Sequence, residues 1–305
     1  MKLGIKVGPR PESITDLEAT NAPFAEVWFQ INKKDDYTDL FSYLTKKHID
    51  TGLHFWGLTR DGLLPTLTYD DQALLTESMD LIKQTIDTAS NNNFSYVNIH
   101  PGYRTKVSGD FAKLIFSKKD DRIVPYEQAT THFLDCINQL TGYAESKNVL
   151  LTVETTPIRF PVGSFHDKTK RQTVKDISEY SYLDLPADTI QFALANDFGH
   201  TAANCIANDG QTVWKYLFKK TIEYAPKTQL LHLGYIIPPY NGSDYHDHLD
   251  NPMFPTGYAV PNKNQMIQLL KLFIKRTDVR ALVEPDGRHQ ENYFLAQKLL
   301  VDAGI

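Results

Sequence analysis

Six short apolar runs in this chain each end on side chains that can hold a metal ion or move a proton: His54, His100, Glu154, Asp197 with His200 close behind, His232 and Glu284. The runs span residues 51–54, 96–100, 149–154, 190–197, 230–233 and 281–284, are rich in β-branched and aromatic side chains, and are separated by helical stretches. Imidazoles and carboxylates without thiolates suit Zn²⁺, Mn²⁺ or a related divalent cation. Successive positions lie 35 to 54 residues apart, so only a fold that gathers strand ends can bring them together. A closed parallel barrel does this, because its strand C-termini converge on one face.

The rest of the chain supplies the elements that such a barrel needs. Two further strand-like runs, 3–7 and 26–30, precede the six and bring the number to eight. Helical spacing is clearest over 70–90, through Leu74, Leu75, Met79, Ile82 and Ile86, and over 126–146, through Phe133, Leu134, Ile137 and Leu140. Shorter helices fit 13–20, 37–48, 211–224, 264–276 and 291–303. Strand and helix thus alternate to the end, and no Pro-, Gly- or Ser-rich linker divides them. The expected fold is α/β: a (β/α)8 TIM barrel forming a single domain over residues 1–305, with long loops after strands 4, 5 and 7 (103–125, 155–186 and 235–262). Loops of that length on the ligand-bearing face argue for a substrate that must be enclosed or gripped.

Composition narrows the function classes. A formal net charge of −5 argues against generic attraction to nucleic acid or anionic membrane. Cys136 and Cys205 show no CxxC spacing, which favours a reducing compartment over a disulfide framework. The apolar run at the N-terminus is too short for a signal peptide, and nowhere do 18 uncharged apolar residues follow one another. The expectation is a soluble, cytoplasmic protein with no membrane association.

Each motif has a physical logic. Glu154 and Glu284 end apolar strands, where a carboxylate is costly unless it is paired or metal-bound. In Asp197-Phe198-Gly199-His200 the glycine lets the chain turn and bring the imidazole back towards the carboxylate. Pro101 and Gly102 force the chain out of its strand directly after His100. The segment Asp244-Tyr245-His246-Asp247-His248 offers a further metal edge and leaves open which histidine serves. Trp56, Arg159 and Arg288 are candidate substrate contacts. Arg104, Lys106, Lys113, Lys118, Lys119 and Arg122 in the 103–125 loop read as a solvated lid rather than a polynucleotide grip, since no nucleic-acid module accompanies them.

The whole pattern resembles the xylose isomerase-like TIM barrels, which include sugar isomerases and epimerases and the endonuclease IV type of abasic-site nuclease. For the epimerase members the resemblance implies one divalent ion held by Glu154, Asp197, His232 and Glu284, with His200 touching substrate. For the endonuclease branch it implies three zinc ions, adding His54, His100 of the HPG motif, His200, and Asp244 with His246. Departures fall after Glu154, where this chain reads TTPIRFP in place of an Asn and a glycine-rich turn, and in the loop after His232.

The first functional expectation is a sugar, polyol or ketose isomerase or epimerase using one ion, Zn or Mn. Glu154 and Glu284 would move the proton and His200 would position a hydroxyl. The alternative is an endonuclease IV-like phosphoester hydrolase with two or three ions. The expected partner is a small carbohydrate-like substrate, with nucleic acid second.

Overall fold

The computed structural model of the chain describes residues 1–113, 115–157, 179–238, 240 and 246–305. Its strands are β1 (Lys2–Leu3), β2 (Ile5–Val7), β3 (Phe24–Gln30), β4 (Asp50–Trp56), β5 (Tyr96–Ile99), β6 (Val107–Asp110), β7 (Ile115–Lys118), β8 (Leu150–Glu154), β9 (Ala193–Asp197), β10 (Thr228–His232) and β11 (Arg280–Leu282). Nine of them form one parallel sheet in the order β1-β11-β10-β9-β8-β5-β4-β3-β2. The two edges of that sheet are consecutive pieces of one stretch, residues 2–7. Between them the Gly4 amide donates to the Ala281 carbonyl at 2.8 Å, continuing the ladder. The sheet therefore curls into an α/β barrel, as the alternation of elements predicts.

Around it run α1 (Glu12–Thr20), α2 (Thr38–Lys46), α3 (Gln72–Asn91), α4 (Tyr126–Ser146), α5 (Phe198–Ala203), α6 (Gly210–Tyr224), α7 (Lys263–Lys271) and α8 (His289–Ala303). The positions that carry the helical period are the ones buried: Leu74, Leu75, Ile82 and Ile86 on α3, and Phe133, Ile137 and Leu140 on α4. Helix starts follow local chemistry. The Asp71 carboxylate accepts the amides of Ala73 and Leu74, and Asn262 with Gln265 forms a capping box at α7. Among the described residues no helix is long and apolar enough to cross a membrane.

Two elements were not legible in the sequence. The 103–125 stretch contains an antiparallel hairpin, β6 with β7, whose Val107 and Phe116 pack with Leu64 and Tyr103 in a small core of their own. Its basic residues are partly committed: Lys106 pairs with Asp71 at 2.7 Å, Lys113 with Asp110 at 3.0 Å, and Arg122 with Asp70. The other element is α5, a short helix starting directly at Asp197.

Phe24, Tyr96, Ala195, Leu230 and Leu282 fill the barrel floor. Tyr96 lies over Gly52 so closely that a Cβ there would come within 2.0 Å of its ring. Gly52→Ala must therefore displace Tyr96, and overpacking of this kind costs about 1–3 kcal/mol. We expect a lowered Tm; an unchanged one would mean that the floor has room to spare.

Candidate metal centre

Above that floor the strands project a layer of polar side chains. Lys6 (β2), Glu26 (β3), His54 (β4), Asn98 (β5), Glu154 (β8), Asp197 (β9) and His232 (β10) come from within or the ends of strands, while His100 and Glu284 lie just past β5 and β11. Glu26 and Glu154 are wholly buried, and Asp197, His54, His200 and His232 are at most 3% exposed.

Two ligand groups meet at Glu154. In the first, one atom each from Glu154, Asp197, His232 and Glu284 lies within 4.8 Å of every other; in the second the same holds for His54, His100 and Glu154. His232 Nδ1 is 3.3 Å from Glu154 Oε1 and 3.0 Å from Glu284 Oε2. His54 Nε2 and His100 Nε2 approach to 3.3 Å, and each lies 3.5 Å from a Glu154 oxygen.

A divalent ion fits this donor set on an observation beyond proximity. Glu154 Oε1 and both ring nitrogens of His232 are buried and have no hydrogen-bond partner among the described residues. Oppositely charged atoms lie 3.0–3.3 Å away, but none of these contacts is aligned as a hydrogen bond, so the burial of these groups is only partly compensated. Atoms that converge without hydrogen-bond alignment are arranged as ligands around a common centre.

The local folding explains the placements. Asp197 ends β9 and is also the N-cap of α5: its Oδ1 accepts the His200 amide at 2.8 Å, which sets the carboxylate while the first helical turn returns the imidazole. A Cβ at Gly234 would lie 2.9 Å from Asp197 Oδ1, so the glycine after His232 leaves room for that carboxylate. His200 Nδ1 donates to the Thr155 carbonyl at 2.7 Å, and His246 Nδ1 to the Glu284 carbonyl at 2.9 Å. Each bond fixes the tautomer with the lone pair on Nε2, the orientation typical of a metal-ligating histidine.

The two rings lie 6.0 Å apart. His248 instead meets Asn292 Nδ2 at 3.1 Å, so of the two loop histidines it is His246 that stands beside His200. Asp244 and Arg159 lie outside the described residues. Trp56 stands over the second group, with ring centroids 5.9 Å from His54 and 5.2 Å from His100. Arg288 precedes α8 and pairs with Asp250 at 2.7 Å.

Charge is dense and coupled. Burial pushes the Glu154 carboxyl upward, but His232, His54 and His100 outweigh it and hold the group well below the usual range. Glu284 is depressed in the same way by His232, Lys6 and His54, again against burial. Burial lowers His232, yet Glu154, Glu284 and Glu26 together raise it well above its ordinary value. Asp197 is raised, by burial first, despite His200.

The surrounding carboxylates thus favour the protonated form of His232, and that proton must leave when a cation binds. Ion binding at pH 7 should release protons, and affinity should climb with pH towards the raised His232 pKa. The stability trend of the metal-free protein runs the other way. The contribution from His232 is complete below its unfolded value of about 6.5 and is lost as pH rises through the folded value. Titration calorimetry in buffers of different ionisation heat measures the release; buffer-independent heats would contradict it.

Sequence reasoning missed three members of this layer. Lys6, Glu26 and Asn98 stand inside strands rather than at their ends, and Asn98 donates to Glu154 Oε2. The signal was present, since a lysine in GIKV and a glutamate in FAEVWF are charges on the inward register of apolar strands.

No family model matches the chain, and no curated protein matches it. Solved structures do. The chain is similar to a D-tagatose 3-epimerase-like protein (TM-score 0.60, 12% identity, covering 100% of this chain and 98% of that one). It is similar to an L-ribulose 3-epimerase (0.63, 11%, 99% and 95%) and to endonuclease IV from Thermus thermophilus (0.54, 12%, 99% and 98%). At these identities the likeness shows the fold, and it is the α/β barrel that the alternation of strands and helices predicts.

Proposed function

We propose that this chain, built on a barrel that serves both sugar epimerases and endonuclease IV, is a metal-dependent phosphoester hydrolase. It would hold at least two divalent ions around Glu154. The observation that carries this reading is the second ligand group: His54 and His100 present their Nε2 atoms to the carboxylate that the four-residue group also uses. Proton transfer at a sugar carbon needs one ion and leaves both histidines idle, whereas hydrolysis gives them a task. Zinc or manganese suits the donors, and His200 with His246, joined by Asp244, is proposed as the place of a third ion.

Ions bound there would supply Lewis acidity, lowering the pKa of water and neutralising phosphoryl charge. The protein's own part is to fix that site. Asn98 orients Glu154 and the α5 N-terminus orients Asp197, so the ligands are set before substrate arrives. The imidazoles around Glu154, and His232, Lys6 and His54 around Glu284, hold both carboxyls below the usual range and so favour their ionised forms. Trp56, whose buried Nε1 has no hydrogen-bond partner among the described residues, is proposed as a substrate contact, as are Arg159 and Arg288.

A second reading, single-ion epimerisation of a sugar or ketose, is favoured by one observation. Glu154 and Glu284 both approach His232, at 3.3 and 3.0 Å, as a carboxylate pair that could work a proton. We rank it second because it gives His54 and His100 no task, whereas the expectation from sequence puts it first.

Chelator-stripped protein reloaded with Zn²⁺ or Mn²⁺ should hydrolyse bis(p-nitrophenyl) phosphate or abasic-site DNA, and should not exchange ketose C–H protons in D₂O. Exchange without hydrolysis would reverse the assignment.

A further inference from the structure

A third cluster lies beneath the two ligand groups: Glu26, His54, His232 and Glu284 also bring ligand atoms within 4.8 Å of one another. Into it projects Lys6. Its Nζ is 2.5 Å from Glu26 Oε1 and 2.6 Å from His54 Nδ1, and it hydrogen-bonds Glu284 Oε1. Glu26 is fixed in turn, with Tyr96 donating to Oε2 at 2.8 Å and His232 Nε2 lying 3.0 Å from Oε1. Lys6 is 5% exposed, so its charge is committed to the barrel interior rather than to solvent.

The two histidines are the decisive feature, because each has one nitrogen on either side. His54 Nε2 and His232 Nδ1 face the Glu154 groups, while His54 Nδ1 and His232 Nε2 face Lys6 and Glu26. Nothing in the imidazoles themselves prefers one side. A metal in the lower cluster would need ligands at about 2.0–2.2 Å, which is the space that the ammonium fills.

We infer that Lys6 is a built-in cation that takes the place of a metal ion in the Glu26–His54–His232–Glu284 cluster, keeping that cluster metal-free and directing His54 and His232 to ions held at Glu154. The ammonium neutralises the lower carboxylates by donating to Glu26 and Glu284, and His54 Nδ1–H donates to Glu284 Oε1 at 3.2 Å, which leaves the His54 Nε2 lone pair facing Glu154. The inference rests on the metal reading of the site given above but not on the choice of reaction.

Zinc content per folded chain, measured by inductively coupled plasma mass spectrometry after equilibration with Zn²⁺ and gel filtration, tests it. Lys6→Met should bind one more zinc ion than the parent, and Lys6→Arg, which keeps the charge, should bind the parental number. If Lys6→Met does not fold, Lys6→Leu serves, since it too removes the cation and leaves Glu26 free to ligate; it too should gain one ion. Equal or lower counts in the neutral variants, or a gain in Lys6→Arg, would overturn the inference. Parent protein that retains no zinc would instead remove the metal reading itself, so the two failures are told apart.

Discussion

Glu154→Gln should lower turnover by about 10³-fold or more and deplete both ligand groups of metal at once. The carboxylate belongs to each group, is wholly buried, and is surrounded by three imidazoles that together hold it ionised against its own desolvation. An amide presents one acceptor where the carboxylate presents two, and its NH₂ would face His54, His100 and His232 rather than a cation. Asp197→Asn provides the contrast. Asp197 belongs to the four-residue group alone, so that variant should lose one ion and keep the one held by His54, His100 and Glu154. Metal analysis beside a turnover assay checks both, and equal metal loss in the two variants would show that Glu154 is not shared.

The His54→Ala, His100→Ala double variant carries the choice of chemistry. It should lose one ion, retain the ion of Glu154, Asp197, His232 and Glu284, and fall to near-background phosphodiester hydrolysis, a loss of about 10²–10⁴-fold. A hydrolase that divides activation of water and neutralisation of the leaving oxygen between ions cannot do both with one. A single-ion epimerase would keep most of its turnover. Assaying the variant for hydrolysis and for C–H exchange in D₂O separates the outcomes, and unchanged metal content would show that the two histidines are not ligands.

Much of this is legible in the amino-acid sequence, for a reason that lies in barrel geometry. Strand ends converge, so residues that close apolar runs, such as Glu154, Asp197 and His232, can be assigned to one site from their positions alone. The fold follows from the same alternation, and α4 runs over the very residues, Tyr126–Ser146, that its 3.6-residue spacing marks. What stays hidden depends on side chains meeting within the barrel. Lys6 and Glu26 sit in mid-strand, where end-of-strand reasoning does not look, and their partnership depends on the β2–β3 register that sets one opposite the other. The β6–β7 hairpin reads as a charged loop because its alternation is short and broken by lysines and aspartates. His246 and His248 cannot be told apart by spacing; the Glu284 carbonyl and Asn292 separate them.

The central claim is that Glu154 joins two ligand groups, and the number of ions bound by the unmodified protein tests it most directly. Native mass spectrometry of protein purified without chelator and equilibrated with Zn²⁺ should find at least two ions per chain, lost on acidification as their ligands take up protons. A single ion per chain, retained unchanged in the His54→Ala, His100→Ala variant, would contradict it.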